Sequence, residues 1–188
     1  MRELIYYVAV SLDGRIASPA GAFDAFPVTG DHFDVIYQEW ADTVPAAAYD
    51  ALGLTGPRGR FSTVLMGWNT YAAGFEFTDD PYPHLDQIVF SRTHSGSETT
   101  SVRVTADDPR EVVADLKSRD GADIWLCGGG DLAAQLVDQI DRLVLKVNPF
   151  VFGDGIPLFA GECDPMSFGL VATRSFASGV VISEYERR

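Results

Sequence analysis

A short apolar run at residues 124–127 passes directly into three glycines, Gly128, Gly129 and Gly130, and then into a segment with helical spacing. The stretch reads ADIWLCGGGDLAAQLV, which predicts a buried strand, a turn of bare backbone and a helix. Unpaired amides at a helix start favour an anion, and glycine lets a phosphate approach without a Cβ in the way. The same glycines would also permit a tight turn and close packing without a ligand. Three in a row favour a phosphate site.

Strand and helix patterns alternate along most of the chain. Strands are predicted at residues 4–11, 63–66, 87–91, 102–104 and 124–127, and helices at residues 31–40, 70–73, 108–117 and 132–137. Asp31 is placed as the N-cap of the first helix. Residues 16–30 predict a loop, and residues 44–60, which are rich in Gly and Pro, predict an irregular insertion.

Only strand patterns follow residue 142, and the last two, at residues 168–177 and 180–186, are joined at Ser178 and Gly179 as a hairpin. We therefore expect an α/β fold in a single domain, residues 1–188. It would have a mostly parallel central sheet, helices on both faces and an antiparallel C-terminal hairpin. Ligands of such sheets bind beyond the carboxyl ends of the strands.

The formal net charge of -13 argues against nucleic acid as a partner, because Lys and Arg supply most of the affinity for phosphate backbones. The two cysteines, Cys127 and Cys163, form no CxxC or metal-ligand spacing, so a reducing, cytoplasmic compartment and no metal are expected. The apolar run at the N-terminus is too short to span a membrane, and no cleavage site of a signal peptide follows it.

We call residues Gly128–Gly130 the glycine turn. Its sequence rules out one class of nucleotide-binding site and matches another only loosely. No Gly-Lys-Ser/Thr sequence is present, so a P-loop for nucleoside triphosphates is excluded. The run from Gly128 to Ala133 satisfies the pattern G-x-G-x-x-G/A of dinucleotide-binding turns. However, it lies late in the chain, whereas a Rossmann turn follows the first strand.

Four segments occur in an order that is specific only when they are taken together: SLDGRIA from Ser11, MGxxTY from Met66, GGGDL from Gly128 and GDGIPLF from Gly153. With this spacing the chain resembles the dihydrofolate reductase fold over nearly its whole length. It is most similar to the reductase domain of the bifunctional riboflavin-biosynthesis deaminase/reductase and its stand-alone relatives. The zinc signature of the deaminase (H-x-E with P-C-x-x-C) is absent, so the bifunctional enzyme is excluded for this chain.

The resemblance implies NADPH as the cofactor, lying across the carboxyl ends of the strands. The glycine turn would hold the pyrophosphate, a second turn would meet the adenosine diphosphate, and a third segment would lie near the adenine ribose. The residues implied are Ala9, Ile16 and Ala17 around the nicotinamide, Gly67, Trp68, Asn69 and Thr70 in the second turn, Ser91 and Arg92 near the ribose, and Gly128, Gly129, Gly130, Asp131 and Leu132 at the pyrophosphate. Trp68 stands where dihydrofolate reductases commonly have a cation for the 2′-phosphate, so Arg92 is the candidate for that contact.

The implied reaction is hydride transfer to a C=N or C=O carbon of a pterin-like or pyrimidine-like small molecule, as in 5-amino-6-(5-phosphoribosylamino)uracil reductase. Asp13, Asp31 and Asp34 are the candidates for managing the proton or anchoring the substrate. Two of them also have a structural explanation, since Asp13-Gly14 is a common turn pair and Asp31 suits an N-cap. His32, His84 and His94 are expected at the surface.

Two alternative functions remain open at this point, a true dihydrofolate reductase and a non-catalytic module that binds NADPH. The first is disfavoured by the insertion at residues 44–60 and by the lack of a Pro-Trp pair before the first helix. A homodimer is also expected, because the relatives implied by the resemblance often dimerise through the C-terminal strands. Here those strands carry Leu170, Val171, Val181 and Ile182.

Overall fold

The computed structural model describes residues 1–95 and 101–188. The strands are β1 (Leu4–Ser11), β2 (Arg15–Ala17), β3 (Phe61–Gly67), β4 (Asp86–Phe90), β5 (Arg103–Thr105), β6 (Asp123–Gly128), β7 (Arg142–Asn148), β8 (Ile156–Pro157), β9 (Phe168–Ser175) and β10 (Val181–Arg187). The helices are α1 (His32–Glu39), α2 (Tyr49–Leu52), α3 (Trp68–Ala72), α4 (Pro109–Ser118) and α5 (Gly130–Gln135).

Eight strands form one sheet in the order β5-β4-β3-β6-β1-β7-β10-β9, and β2 pairs with β8 in a separate small sheet. In this order, each strand from β5 to β1 is parallel to the next one, whereas β10 runs antiparallel to both β7 and β9. The predicted α/β architecture, with a mostly parallel sheet and antiparallel C-terminal strands, is confirmed. The carboxyl ends of β4, β3, β6, β1 and β7 therefore meet at one edge of the sheet.

Two apolar layers cover the faces of this sheet. One face packs α1 and the segment after it against the strands, with Trp40 fully buried and its ring stacked on Tyr7 at 4.6 Å; we call it the α1 face. The opposite face packs α4 and α5 against Tyr6, Leu65 and Leu126. Because side chains alternate along a strand, Tyr6 and Tyr7 of the central strand contribute to opposite layers.

The insertion at residues 44–60 is held by a buried carboxylate. It contains one turn of 3-10 helix and the short α2, joined by irregular backbone. Asp42, which is fully buried just before it, accepts backbone N–H bonds from Arg58, Gly59, Arg60 and Phe61 at 2.5–3.1 Å. Four amide donors compensate for the loss of water around this carboxylate. The insertion therefore closes back onto the start of β3.

Two sequence-based expectations are wrong, and a third holds only for the position of the residue. Asp31 directly precedes α1 at the predicted N-cap position, but its side chain makes no hydrogen bond that caps the helix. Residues 16 and 17, expected in a loop, belong to the strand β2, which pairs with β8. His32 is buried rather than at the surface, with 3% of its area exposed, and its Nδ1 lies 3.0 Å from Ser178 Oγ.

The C-terminal hairpin leaves one edge of the main sheet open. β10 lies between β7 and β9, and its Ile182 is buried in the core, so β10 offers no edge of its own. β9 is the terminal strand, and Leu170 and Val171 on it are 59% and 51% exposed. Among the described residues, no helix is long and apolar enough to cross a membrane.

The homodimer remains a proposal, and we place its interface at the open edge of β9. An unpaired eight-residue edge with exposed apolar side chains suits pairing with the same strand of a second copy about a two-fold axis. We expect light scattering to give twice the 20.4 kDa mass of one chain, and Val171→Lys to give a monomer. Val28→Lys, at an exposed valine in a loop, is the matched control. A wild-type mass of 20.4 kDa at micromolar concentration would refute the dimer.

Candidate functional site

Five turns follow one another along the carboxyl edge of the parallel strands. Because β4, β3, β6, β1 and β7 are successive neighbours in the sheet, their last residues form a continuous row: Phe90, Gly67, Gly128, Ser11 and Asn148. Adjacent strands lie about 4.8 Å apart, so the row is roughly 19 Å long. All the cofactor-binding residues expected from the sequence lie on or near this row.

The three glycines of the turn after β6 meet different requirements. Gly128 has a φ of 150°, which L side chains rarely adopt, and the Gly128–Gly129 peptide is cis. A Cβ on Gly129 would lie 3.3 Å from Thr70 Oγ1, a contact that a small shift would relieve. A Cβ on Gly130 would lie 2.2 Å from the carbonyl oxygen of Pro157. Gly130 is therefore required by packing, and the backbone of Gly129 is the part available to a ligand.

The turn after β3 lies against the glycine turn. A Cβ on Gly67 would lie 3.6 Å from the nitrogen of Gly129, and Thr70 reaches the same turn through its hydroxyl. Asn69, between them on α3, is exposed. The two turns therefore form one surface of bare backbone with a hydroxyl group beside it.

Aromatic rings extend this surface toward β4. Trp68, half-buried at the start of α3, stacks on His94 with ring centroids 3.9 Å apart and planes 5° apart. The hydroxyl of Ser91 accepts hydrogen bonds from the backbone N–H groups of Thr93 and His94, which shapes the turn after β4. Arg92 lies exposed in this turn, with no ion pair to any of the residues that the structure describes.

The other two residues expected at the pyrophosphate lie in the first turn of α5. Asp131 is exposed, and its carboxylate accepts a hydrogen bond from Gln135 Nε2 at 3.3 Å, along the surface of the helix. Leu132 is 4% exposed and packs in the core between α5 and the sheet. Only the backbone of Leu132 is therefore available to a ligand.

The residues expected around the nicotinamide lie at the end of β1 and in β2. Ala9 is half-buried on the α1 face, two residues before the end of its strand. Ile16 and Ala17 lie in β2, and a Cβ on Gly155 would stand 2.5 Å from the carbonyl oxygen of Ala17. The loop after β1 is thus packed closely against the segment before β8.

Two of the three candidate acids hold loops in place. Asp13 accepts hydrogen bonds from Ser11 Oγ at 2.5 Å and from the backbone N–H groups of Phe152 and Gly153, at 3.2 and 2.8 Å. These bonds, that from Ser11 foremost, lower the pKa of Asp13 below its ordinary value. Its carboxylate is therefore ionised at neutral pH and joins the end of β1 to the loop after β7.

Asp31 likewise holds a loop in place, the turn of the C-terminal hairpin. Its carboxylate accepts the backbone N–H groups of Ser178 at 3.0 Å and Ala177 at 2.7 Å, and these bonds lower the pKa of Asp31. Asp34 is exposed on α1, and no hydrogen bond or ion pair of its side chain is present among the described residues. The sequence alone cannot show whether such an aspartate caps a helix, holds a loop or takes part in chemistry. An Asp carboxylate accepts hydrogen bonds equally well from amides that are near and far along the chain.

The sequence analysis missed Lys146, a lysine on the α1 face of β7. Its ammonium nitrogen lies 4.0 Å from the centre of the Tyr7 ring, and its side chain is half-buried. Burial lowers the pKa of Lys146 to about 8. A signal was present in the sequence, since the strand RLVLKVN places a lone lysine in the same alternating register as the buried Val144.

No group of three or more His, Cys, Asp or Glu side chains within residues 1–95 and 101–188 is arranged to hold a metal ion. The thiol of Cys127 lies near the end of β6, directly before the glycine turn. Burial raises the pKa of its thiol to about 12, so the thiol is neutral at physiological pH.

Solved structures share the fold. A putative riboflavin biosynthesis protein from Shewanella sp. PV-4 has a TM-score of 0.71 and 24% identity, and the match covers 100% of this chain and 99% of that one. A diaminohydroxyphosphoribosylaminopyrimidine deaminase/5-amino-6-(5-phosphoribosylamino)uracil reductase from Thermotoga maritima has the same TM-score at 17% identity, with 100% of this chain and 57% of that one covered. The dihydrofolate reductase-like fold expected from the sequence is confirmed.

Relatives of similar length are known by sequence. The uncharacterised protein YwjB of Bacillus subtilis (strain 168) is 29% identical over 182 residues, covering 95% of both chains. The uncharacterised protein YyaP of the same organism is 28% identical over 194 residues, covering 96% of this chain and 92% of the relative. A sequence profile of the RibD C-terminal domain matches residues 2–182, and the chain therefore belongs to the RibD C-terminal domain family.

Proposed function

We propose that this chain is an NADPH-dependent reductase that transfers a hydride to a C=N or C=O carbon of a pterin-like or pyrimidine-like small molecule. The Thermotoga maritima protein of the same fold carries a 5-amino-6-(5-phosphoribosylamino)uracil reductase in its name, and this compound is the first substrate to test. The observation that carries the proposal is the contact between two bare-backbone turns, at Gly67 and Gly129, in the middle of the row of strand ends.

The residues present fit a dinucleotide. A Cβ at Gly129 would occupy space that is open except for the hydroxyl of Thr70, so a phosphate oxygen has access to the backbone there. On the side of β4, the flat ring of Trp68 suits an aromatic base, and the exposed guanidinium of Arg92, which has no ion pair within residues 1–95 and 101–188, suits a phosphate group. The local cation matters in this acidic chain, because the net charge of -13 otherwise repels anionic ligands.

The chain's own contribution to the reaction is orientation and the handling of one proton. When bound, the cofactor supplies the hydride. Ala9 has only a methyl side chain, and it lies half-buried near the end of β1, between β6 and β7. Asp13 and Asp31 keep the surrounding loops in place through their bonds to backbone amides, so a substrate would meet a prearranged site.

The direct test is anaerobic mixing of the protein with NADPH and 5-amino-6-(5-phosphoribosylamino)uracil. We expect the absorbance of the reduced nicotinamide to fall, with the reduced uracil compound formed in equal amount. NADPH without a second substrate is the control for background oxidation, and 7,8-dihydrofolate tests for a true dihydrofolate reductase. Tight NADPH binding with no oxidation by either compound would contradict the proposed activity on these substrates.

Substitutions at two neighbouring glycines test ligand binding and stability separately. Gly129→Ala should weaken NADPH at least tenfold, since losing a hydrogen bond to a charged phosphate costs about 1.5–3 kcal/mol, while the free energy of unfolding stays nearly unchanged. Gly130→Ala should instead lower the free energy of unfolding by about 1–3 kcal/mol, because its Cβ meets the Pro157 carbonyl at 2.2 Å. Fluorescence titration and urea unfolding measure the two quantities. Unchanged NADPH affinity in Gly129→Ala would remove the phosphate assignment.

Arg92 is tested by comparing two cofactors. If its guanidinium binds the 2′-phosphate, Arg92→Ala should weaken NADPH by about 1.5–3 kcal/mol and leave NADH affinity nearly the same. Arg119→Ala is the matched control, because this exposed arginine follows α4 and contacts Asp115. Equal losses for NADPH and NADH in Arg92→Ala would show that the residue does not recognise the 2′-phosphate.

A further inference from the structure

The two lysines of this chain are placed very differently. Lys117 is tied into the structure, with its ammonium bonded to the carboxylate of Asp141 at 2.5 Å and to the carbonyl of Gln139 at 2.7 Å. The ammonium of Lys146 contacts the face of Tyr7 and has no carboxylate or hydrogen-bond acceptor among the described residues. Since Asp and Glu outnumber Lys and Arg by 27 to 14, a cation without a carboxylate partner requires an explanation.

Lys146 lies beside the row of strand ends. It pairs with Ala9 of β1 on one side and Ile182 of β10 on the other, two residues before β7 ends at Asn148. Strand alternation places it on the α1 face, one step closer to the carboxyl edge than the buried Val144. The lysine therefore lies next to Ala9 on the α1 face, close to the row of strand ends.

The groups that face Lys146 do not neutralise it. Tyr7 of β1 presents its ring, and β10 presents the apolar Ile182. From β6, Cys127 lies near enough to raise the pKa of Lys146, although burial lowers it more strongly. From α1, His32 faces it, and burial lowers the pKa of His32, so that ring is neutral at pH 7. The carboxylate of Asp31 is bonded to the hairpin, and that of Glu184 to Arg174.

We propose that Lys146 binds the oxygen or nitrogen of the substrate's reducible C=O or C=N bond and donates the proton that this atom needs. The inference rests on the proposed reductase function and names the residue responsible for its proton transfer. Of the acids considered, Asp13 and Asp31 are ionised and committed to backbone amides, so neither carries a proton to give. An ammonium with a pKa near 8 holds its proton at neutral pH and releases it readily.

The step balances with one proton from solvent. As the hydride forms a C–H bond at the substrate carbon, the π electron pair moves to the oxygen or nitrogen, and the N–H bond of Lys146 breaks to give an O–H or N–H bond there. NADPH becomes NADP⁺, the C=O or C=N bond is reduced, and the neutral amine then takes a proton from water. Before transfer, the ammonium also stabilises the negative charge that develops on the accepting atom.

The activity test uses Lys146→Met, which keeps the length of the apolar stem, with Lys146→Arg beside it and Lys117→Met as the matched control. With 5-amino-6-(5-phosphoribosylamino)uracil, Lys146→Met should bind NADPH as wild type does but lose about 100-fold or more in single-turnover rate. The wild-type rate should fall as pH rises through about 8, and Lys146→Met should lack this decline. A rate in Lys146→Met within threefold of wild type would overturn the proposal.

A second measurement decides the lysine proposal without turnover. Limiting trinitrobenzenesulfonate, with the labelled peptides quantified by mass spectrometry, should modify Lys146 with a midpoint near pH 8, and the uracil compound should protect it while labelling of Lys117 stays the same. Labelling of Lys146 that the compound does not alter would overturn the lysine proposal, whatever the activity. Protection of Lys146 without NADPH oxidation would support its contact with the substrate and refute the proposed reductase.

Discussion

The contact between Gly130 and the segment at residues 157–160 holds together the turns at the carboxyl edge of the parallel strands. A side chain on Gly130 would collide with the Pro157 carbonyl, and the amide of Ala160 donates to the carbonyl of Gly130 at 2.9 Å. Two further hydrogen bonds hold the same segment. The backbone N–H of Leu158 donates to the carbonyl of Gly14 at 3.0 Å, and the hydroxyl of Tyr6 donates to the carbonyl of Leu158 at 3.1 Å. The turns after β1 and β6 are thus positioned by one shared piece of backbone.

This contact changes the explanation of the three consecutive glycines. The sequence predicts that bare backbone serves a phosphate, but the structure gives each glycine its own reason: a positive φ at Gly128, access at Gly129 and packing at Gly130. The fold and the approximate bounds of the main elements could be predicted, because buried strands and amphipathic helices leave clear periodic patterns. β2 and β8 could not, since strands of three and two residues are too short to show a period.

The proximity of the residues proposed to bind the cofactor was predictable for a topological reason. Turns that follow neighbouring parallel strands must gather at one edge, so residues as far apart as Gly67 and Gly129 are brought together once the strand order is right. What the sequence could not reveal is how each polar side chain is used. Asp31 has the residue type and place of an N-cap, yet it holds a hairpin nearly 150 positions away. Long-range acceptors of this kind leave no local pattern.

Charged side chains have different surroundings in the loops and on the α1 face of the sheet. Asp13 and Asp31 lie at the loops, where several amide donors hold their charge, and their lowered pKa values keep them ionised while they fix the backbone. Lys146 lies inside, against an aromatic ring and a neutral thiol, where burial favours loss of its proton. A carboxylate with many donors makes a stable support and a poor acid. An ammonium with no acceptor among the residues that the structure describes contributes little to holding the fold and gives up its proton readily. This contrast is why the proposed chemistry is assigned to the lysine.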